Sequence, residues 1–212
     1  MKNIVILISG RGSNMQALLE ADIPCHIAAV ISNRADAKGL EIARAQGIPT
    51  AILDHKDYAD REHFDTALAS LIDTFMPDVV VLAGFMRILG AAFVMRYMGR
   101  LVNIHPSLLP AYGGLHTHAR VLQDGAKIHG CTVHFVTPDL DHGPIIIQAA
   151  VPVLSDDTEQ TLAERVLHEE HRIYPQAISW LCSGQTELGS DGQIKLLHRK
   201  QPGFTLISPE LE

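Results

Sequence analysis

The sequence predicts an α/β fold, namely a Rossmann-like, mostly parallel sheet flanked by helices, with an antiparallel C-terminal extension of the same sheet. In the first hundred residues, short apolar runs alternate with helical patterns, which is typical of parallel strands joined by right-handed crossovers. After Pro110, two longer β-type runs are separated only by a turn at residues 139–143, which indicates an antiparallel pair. We expect a single domain over residues 1–212, built from the halves 1–100 and 101–212.

The first half alternates strands and helices in a regular order. Residues 3–9 form a continuous apolar run, as in a strand that is buried on both faces. Ser13 or Asn14 is expected to cap the helix that follows. Gly47 is expected to close the second helix. The remaining strands are expected at 27–31, 50–53 and 78–82, and the helices at 13–20, 36–46, 60–75 and 91–97.

The second half is expected to contain the antiparallel strands and one long helix. A strand at 101–105 ends before Pro106, and strands at 130–136 and 144–153 follow. A helix at 157–183 begins with a pattern like a capping box that starts at Asp157, and Pro175 is expected to kink or split it. A late edge strand is expected at 193–197.

Composition and charge exclude several classes of protein. Hydrophobic residues make up 47% of the 212 residues and charged residues 19%, which is typical of a globular chain and not of a disordered one. A formal net charge of −7 argues against nucleic acid as a partner. The three cysteines lack metal-type spacing and favour free thiols in a reducing compartment. The apolar run at 4–8 is too short for a signal sequence or a membrane span, so we expect a cytoplasmic protein without a membrane partner.

A glycine-containing loop, residues 9–14, lies between the first strand and the first helix. Its glycines allow a tight turn, and free N–H groups at a helix N-terminus attract anions. It is not a dinucleotide fingerprint, because Met15 stands where the third glycine would be. Three interpretations stay open: a phosphomonoester site, a tight turn with no ligand, and an NADP site that uses Arg34.

Two polar side chains stand at the end of the strand predicted at 101–105. Asn103 and His105 point to the same face, because side chains in a strand repeat with period two. Asp141 lies in the turn at 139–143, which can bring its carboxylate to His105. The carboxyl ends of strands are common places for catalytic groups in α/β folds. A histidine before proline is also a common ordinary loop residue, so a catalytic role depends on agreement with other segments.

Four segments together resemble one family, the folate-dependent formyltransferases. They are 10–14 (GRGSN), 81–89 (VLAGFMRIL), 103–110 (NIHPSLLP) and 140–144 (LDHGP). The combination of Asn-x-His-Pro-Ser with Leu-Asp-x-Gly-Pro is specific to this superfamily. The Gly-Ser-Asn loop narrows the resemblance to members that formylate phosphoribosylglycinamide in purine synthesis. The resemblance covers roughly residues 2–183.

The resemblance implies a formyltransferase fold, with phosphate binding in residues 1–100 and catalysis and completion of the folate site in residues 101–212. It implies small-molecule substrates, 10-formyltetrahydrofolate as co-substrate, no metal, and a monomer or homodimer. The implied catalytic residues are Asn103, His105 and Asp141. Those implied for phosphoribosylglycinamide are Gly12, Ser13, Asn14 and Glu170. Those implied for the folate are Arg61, Met86, Arg87, Ile88, Leu89, Asn103, Thr137 and Asp141.

The sequence departs from the family pattern near the folate site. Pro138 replaces a more usual acidic residue, and His142 stands where glycine is common. Ala111 and Gly113 lie in a loop that often carries lysine and proline. These departures bear on folate affinity and on the rigidity of the loops, but they leave the three implied catalytic side chains unchanged.

The chemistry of formyl transfer explains why these residue types are needed. The acceptor amine attacks the formyl carbon, which creates an oxyanion, and the departing folate nitrogen must gain a proton. The amide of Asn103 can donate a hydrogen bond to the oxyanion, and a protonated His105 can donate to it and serve as the acid. Asp141 would stabilise the protonated imidazole.

Several rival interpretations remain at this stage. His116, His118, His129 and His134 could suggest zinc, but no paired spacing or cysteine partner supports a site; the first two are expected to shape the rim of the active site or to cap a helix. A Met-tRNA formyltransferase would be expected to add a basic C-terminal domain, and a formyltetrahydrofolate deformylase an N-terminal regulatory domain. A nucleotide-binding sensor without catalysis would need the phosphate loop but not the three converging residues.

Overall fold

The computed structural model describes residues 1–189, 192–197 and 208. A seven-stranded sheet has the order β3-β2-β1-β4-β5-β6-β7, in which β1 to β5 pair in parallel and β6 and β7 are antiparallel. This confirms the predicted fold class, including the antiparallel extension of the same sheet. The single-domain expectation covers residues 190–191, 198–207 and 209–212 as well, which lie outside the described residues, and it stays a prediction.

The strands are short and mostly buried. In chain order they are β1 (Lys2–Ile8), β2 (Cys25–Ser32), β3 (Thr50–Ile52), β4 (Val79–Leu82), β5 (Leu101–His105), β6 (Ile128–Phe135) and β7 (Ile145–Pro152). A separate antiparallel pair, β8 (Thr186–Leu188) and β9 (Ile194–Leu196), follows the last helix. The strand expected at 193–197 therefore forms, but it pairs with β8 and is not part of the main sheet.

Helices cover both faces of the sheet. They are α1 (Ser13–Glu20), α2 (Gly39–Ala45), α3 (Arg61–Asp73), α4 (Ala91–Arg96), α5 (Thr117–Gln123) and α6 (Glu159–Cys182), with a 3-10 turn at His55–Asp57. One buried cluster joins β1 to α1 and α6, and a second lies on the other side with α3 and α4. Burial of these two apolar faces is the main force that holds the layers together.

Helix α6 corrects two details of the sequence analysis. Its N-cap is Thr158, whose side chain accepts from the N–H of Thr161, so the capping box begins one residue after Asp157. The helix is continuous through Pro175, so the expectation that Pro175 splits it is wrong. A proline removes one backbone hydrogen bond, and the buried face that includes Tyr174 and Ile178 offsets that loss through packing.

The strand order places three loops side by side at one edge of the sheet. β1, β4 and β5 are neighbours and run parallel, so their carboxyl ends meet at the same edge. The loop after β1 is the glycine-containing loop, the loop after β4 contains residues 83–90, and β5 ends at His105. Ligands in open α/β sheets bind at this edge.

Candidate active site

The phosphate loop is shaped by a left-handed glycine. Gly12 is the N-cap of α1 with φ 79°, and no side chain caps the helix. The expectation that Ser13 or Asn14 is the cap is therefore wrong, since both lie inside the first turn. Because the first N–H groups of a helix have no partner within it, the uncapped end leaves them available to an anion.

A second glycine allows this loop to approach α2. A side chain at Gly12 would place its Cβ 2.8 Å from Cα of Gly39, and Gly39 donates its N–H to the carbonyl of Gly10 at 3.1 Å. Gly39 was not predicted to belong to this site, although a glycine inside a predicted helix often has a packing reason. Arg34, the residue considered for NADP, is exposed and pairs with Asp36.

Glu170 is brought to the phosphate loop by the packing of α6 on α1. Its Oε2 accepts from Nδ2 of Asn14 at 2.7 Å. Burial raises the pKa of Glu170, and the hydrogen bond from Asn14 opposes that rise. Oδ1 of Asn14 is buried without a partner among the described residues. Ser13 lines a cavity of about 440 Å³ between the two helices, with His171 on its opposite wall.

Asn103, His105 and Asp141 meet as the sequence predicts. Nδ1 of His105 lies 3.6 Å from Oδ2 of Asp141, and both side chains are less than one-tenth exposed. The same carboxylate oxygen accepts from the N–H of Gly114 at 2.8 Å, which holds Asp141 in a left-handed conformation with φ 56°. Asn103 and His105 share a face of β5, which brings the amide and the imidazole side by side.

The two ring nitrogens of His105 both face acceptors. Nδ1 faces the carboxylate of Asp141, and Nε2 lies 3.1 Å from the backbone carbonyl of Tyr112. A carbonyl and a carboxylate only accept hydrogen bonds, and only the doubly protonated ring carries two N–H groups. The site therefore offers an acceptor to each ring nitrogen of His105.

A further histidine, His134, completes the site and was not assigned to it from the sequence. It stands opposite Asn103 on β6, and Nδ2 of Asn103 donates to its Nε2 at 3.3 Å. Nδ1 of His134 donates to the carbonyl of Phe135 at 2.9 Å. Burial lowers the pKa of His134, so the ring is the neutral Nδ1–H tautomer that these two contacts require. Asn103 thus keeps one amide hydrogen for a ligand.

A short apolar wall follows β4 beside the phosphate loop. It consists of Met86 to Leu89, and the side chains of Met86 and Ile88 are 69% and 65% exposed. The N–H of Met86 donates to Oγ of Ser9 at 2.8 Å, and Ser9 donates to Oδ1 of Asn33 at 2.6 Å. Exposed apolar side chains held by buried polar contacts are suited to bind a flat ligand.

The other residues implied for folate have different surroundings. Arg87 is half-buried with its guanidinium 6.0 Å from the ring of Phe64, and Arg61 is exposed at the start of α3. Thr137 lines a cavity of about 310 Å³. This cavity lies at the end of β6, and that end of the strand pairs with the start of β5. Its hydroxyl donates to the carbonyl of Asp139 at 3.1 Å, and its folate role stays a prediction.

The family departures fall where the backbone tolerates them. His142 is exposed and has no positive φ, so glycine is not required there, and Pro138 and Ala111 are exposed as well. Gly143 is different, because a Cβ there would lie 1.8 Å from the carbonyl oxygen of Phe135. The carbonyl oxygen of Gly113 accepts a hydrogen bond from the guanidinium of Arg120 at 2.7 Å.

Two of the histidines considered for zinc, His118 and His129, pair with each other. Nδ1 of His118 lies 3.1 Å from Nε2 of His129, and burial lowers the pKa of His129 to about 4. Within the described part of the chain, no group of three or more metal-ligating side chains converges. His116 is the N-cap residue of α5, although its side chain makes no cap hydrogen bond, and His118 lies inside that helix.

Comparison with known proteins decides the family. The sequence profile described as "Formyl transferase" matches residues 2–178. The chain belongs to the formyl transferase family. It is therefore an enzyme that transfers a formyl group between small molecules. Within the described ranges, no helix is long and apolar enough to cross a membrane.

Three relatives of this formyltransferase illustrate the similarity. The phosphoribosylglycinamide formyltransferase of Escherichia coli (strain K12) is 54% identical over 190 residues, which cover 88% of this chain and 90% of that protein. The human trifunctional purine biosynthetic protein adenosine-3 is 47% identical over 195 residues, which cover 90% of this chain and 19% of that protein. The crystal structure of glycinamide ribonucleotide transformylase 1 from Symbiobacterium toebii is 47% identical, with a TM-score of 0.89, and the match covers 93% of this chain and 94% of that chain.

Proposed function

We propose that this enzyme transfers the formyl group of 10-formyltetrahydrofolate to the amine of 5-phosphoribosylglycinamide in de novo purine biosynthesis. The products are formylglycinamide ribonucleotide and tetrahydrofolate. The observation that carries the proposal is the convergence of Asn103, His105 and Asp141 at the strand edge where the phosphate loop and the apolar wall also lie. The names of the relatives support the choice of acceptor and pathway.

The phosphate loop and α6 would bind the acceptor. The free N–H groups of Ser13 and Asn14 at the uncapped start of α1 would hold the phosphate. Glu170, beside Asn14, would accept hydrogen bonds from the ribose hydroxyls. This arrangement would fix the phosphate and the ribose and leave the amine free to point towards β5. Holding the amine in place lowers the entropic cost of a reaction between two molecules.

The apolar wall and the loop with Asp141 would bind the co-substrate. Met86, Ile88 and Leu89 would pack on the pterin, and their backbone groups would read its edge. Arg61 and Arg87 would pair with the carboxylates of the folate tail, because guanidinium groups match carboxylates in a bidentate geometry. Thr137 would act only through the loop that carries Asp141, because its hydroxyl donates to the carbonyl of Asp139.

The catalytic groups supply charge and a proton in a balanced step. The amine nitrogen bonds to the formyl carbon, and the carbonyl electrons become an oxyanion that would accept from Asn103 and from a protonated His105. The carbonyl then re-forms as the bond from the formyl carbon to the folate nitrogen breaks. His105 would give that nitrogen a proton, and the proton lost by the attacking amine would return to His105, so no net proton is consumed. The carbonyl of Tyr112 lies 3.1 Å from Nε2 of His105, so an oxyanion that accepts from this nitrogen would have to replace that contact.

The test is a spectrophotometric folate assay with the purified protein. We expect tetrahydrofolate release that requires phosphoribosylglycinamide and stoichiometric formylation of that acceptor. Release without the acceptor would instead assign a deformylase, and the absence of any reaction would favour a nucleotide-binding sensor. A cytoplasmic location, the absence of nucleic acid as a partner, and a monomeric or homodimeric state stay predictions from the sequence.

A further inference from the structure

The apolar wall is held at both of its ends by a side chain from elsewhere in the fold. At its start, the N–H of Met86 donates to Ser9 at 2.8 Å. At its end, the N–H of Gly90 donates to Oδ2 of Asp65 at 2.7 Å. Gly90 is also the residue that precedes α4, so Asp65 fixes the point where the wall passes into a helix.

Asp65 is an unusual residue for its position on α3. It lies on the buried face of that helix with Phe64 and Leu68, and its side chain is 7% exposed. Burial raises the pKa of Asp65, whereas the hydrogen bond from Gly90 and the charges of Arg61 and Arg87 lower it. A buried carboxylate destabilises the fold unless it is hydrogen-bonded or paired with a cation. For Asp65, the hydrogen bond from Gly90 and the two arginine charges offset this cost.

The surroundings of Asp65 connect it to both arginines that we assign to the folate tail. A Cβ built at Gly90 would lie 3.0 Å from Oδ2 of Asp65 and 3.8 Å from Nε of Arg61. Oδ1 of Asp65 and Nε of Arg87 are buried and have no hydrogen-bond partner among the described residues. One carboxylate therefore anchors the wall with one oxygen and lies in the field of two cations.

We propose that Asp65 is a positioning residue for the folate co-substrate. It acts through its hydrogen bond from the N–H of Gly90 and contacts neither substrate. This inference rests on the proposed folate site. Without the anchor, the segment from Met86 to Leu89 loses the restraint at its carboxyl end and must be ordered by the folate itself. That ordering weakens folate binding. The phosphate loop does not depend on this contact.

The experiment is a graded series at position 65, made in the whole chain. Asp65→Asn keeps an acceptor for the N–H of Gly90 at the same distance. Asp65→Ser is shorter and leaves room for a water between the hydroxyl and Gly90, and Asp65→Ala has no acceptor. Glu62→Gln, on an exposed site of the same helix, is the matched control. Each variant is assayed for kcat, for KM of both substrates, for Tm, and for the Kd of tetrahydrofolate without acceptor by calorimetry.

We expect KM and Kd for the folate to rise about tenfold in Asp65→Ala, from the loss of one hydrogen bond to a charged group. Asp65→Ser should be intermediate, and Asp65→Asn and Glu62→Gln should stay within about threefold of the wild type. KM for phosphoribosylglycinamide should stay within about twofold in all four variants. A purely structural role would lower Tm without this selective change.

Two results would overturn the inference. One is a flat folate Kd across the series, and the other is an equal rise of KM for both substrates. If Asp65→Ala does not fold, the order of Asp65→Asn and Asp65→Ser decides the question. The calorimetric Kd needs no turnover, so it tests Asp65 even if the wild type uses a different acceptor. A wild type that binds tetrahydrofolate but does not formylate phosphoribosylglycinamide would refute the proposed acceptor and leave the role of Asp65 to be judged by this series.

Discussion

His105 is the side chain whose surroundings most constrain its chemistry, since each ring nitrogen faces an acceptor. Replacing it with alanine removes both the proposed acid and one oxyanion partner. We expect kcat of His105→Ala to fall on the order of 10²–10⁴-fold while KM for both substrates changes little. Steady-state kinetics measure both, and His26→Ala, at an exposed position near the start of β2, is the control. Turnover of His105→Ala close to that of the wild type would remove His105 from the mechanism.

At the scale of single residues, the sequence predicted what depends on local geometry. Alternation in a strand predicted that Asn103 and His105 share one face, and the resemblance implied that Asp141 lies beside them. The sequence could not predict that His134 faces Asn103, because that contact depends on the register of β6 against β5. The carbonyl of Tyr112 was equally out of reach, since its position is set by a loop with positive φ at Tyr112 itself.

At the scale of elements, the turn that carries Asp141 depends on one glycine. Gly143 lies against the carbonyl oxygen of Phe135, at a distance where no Cβ fits. Gly143→Ala must therefore displace residues 136–144 from β6 and move Asp141 away from His105. Such overpacking typically costs about 1–3 kcal/mol.

We expect Gly143→Ala to lower Tm and to reduce kcat by at least tenfold, which corresponds to about 1.4 kcal/mol of transition-state stabilisation. Thermal unfolding and steady-state kinetics measure the two effects. His142→Ala is the matched control, because that neighbouring side chain is exposed and its backbone has no positive φ. A Gly143→Ala protein with wild-type kcat would show that the turn does not position Asp141.

The order of the main strands and helices followed from periodicity, whereas β8, the 3-10 turn at His55–Asp57 and the ends of the helices did not. Helix α2 begins at Gly39 and not near residue 36, because Gly39 must approach Gly12. Helix α1 begins after a glycine cap, although Ser13 and Asn14 are better capping residues, since that geometry keeps their N–H groups free. Both differences lie at the phosphate loop, where ligand binding and the most stable local structure make different demands.

At the scale of the whole molecule, several buried histidines link folding to pH. Burial lowers the pKa of His129 to about 4 and also lowers that of His118 and His134. Between about 4 and the ordinary value of about 6.5, His129 binds more protons in the unfolded chain than in the folded one. The contribution of His129 to the free energy of unfolding should therefore fall as pH decreases from 6.5 towards 4. Glu170 and Asp65 act in the opposite direction, because burial raises their pKa.

Since these contributions oppose one another, a single variant has to isolate the effect of one histidine. His129 and His118 lie 3.1 Å apart, so charging either ring places a cation beside the other and near His105. We expect His129→Gln to lose less stability than the wild type between pH 7.5 and 5.5, even if it is less stable at pH 7.5. Urea unfolding at both pH values measures this, with His26→Gln as the exposed control. Because a glutamine side chain does not titrate, an equal pH-dependent loss in His129→Gln and the wild type would mean that His129 is not what couples folding to pH.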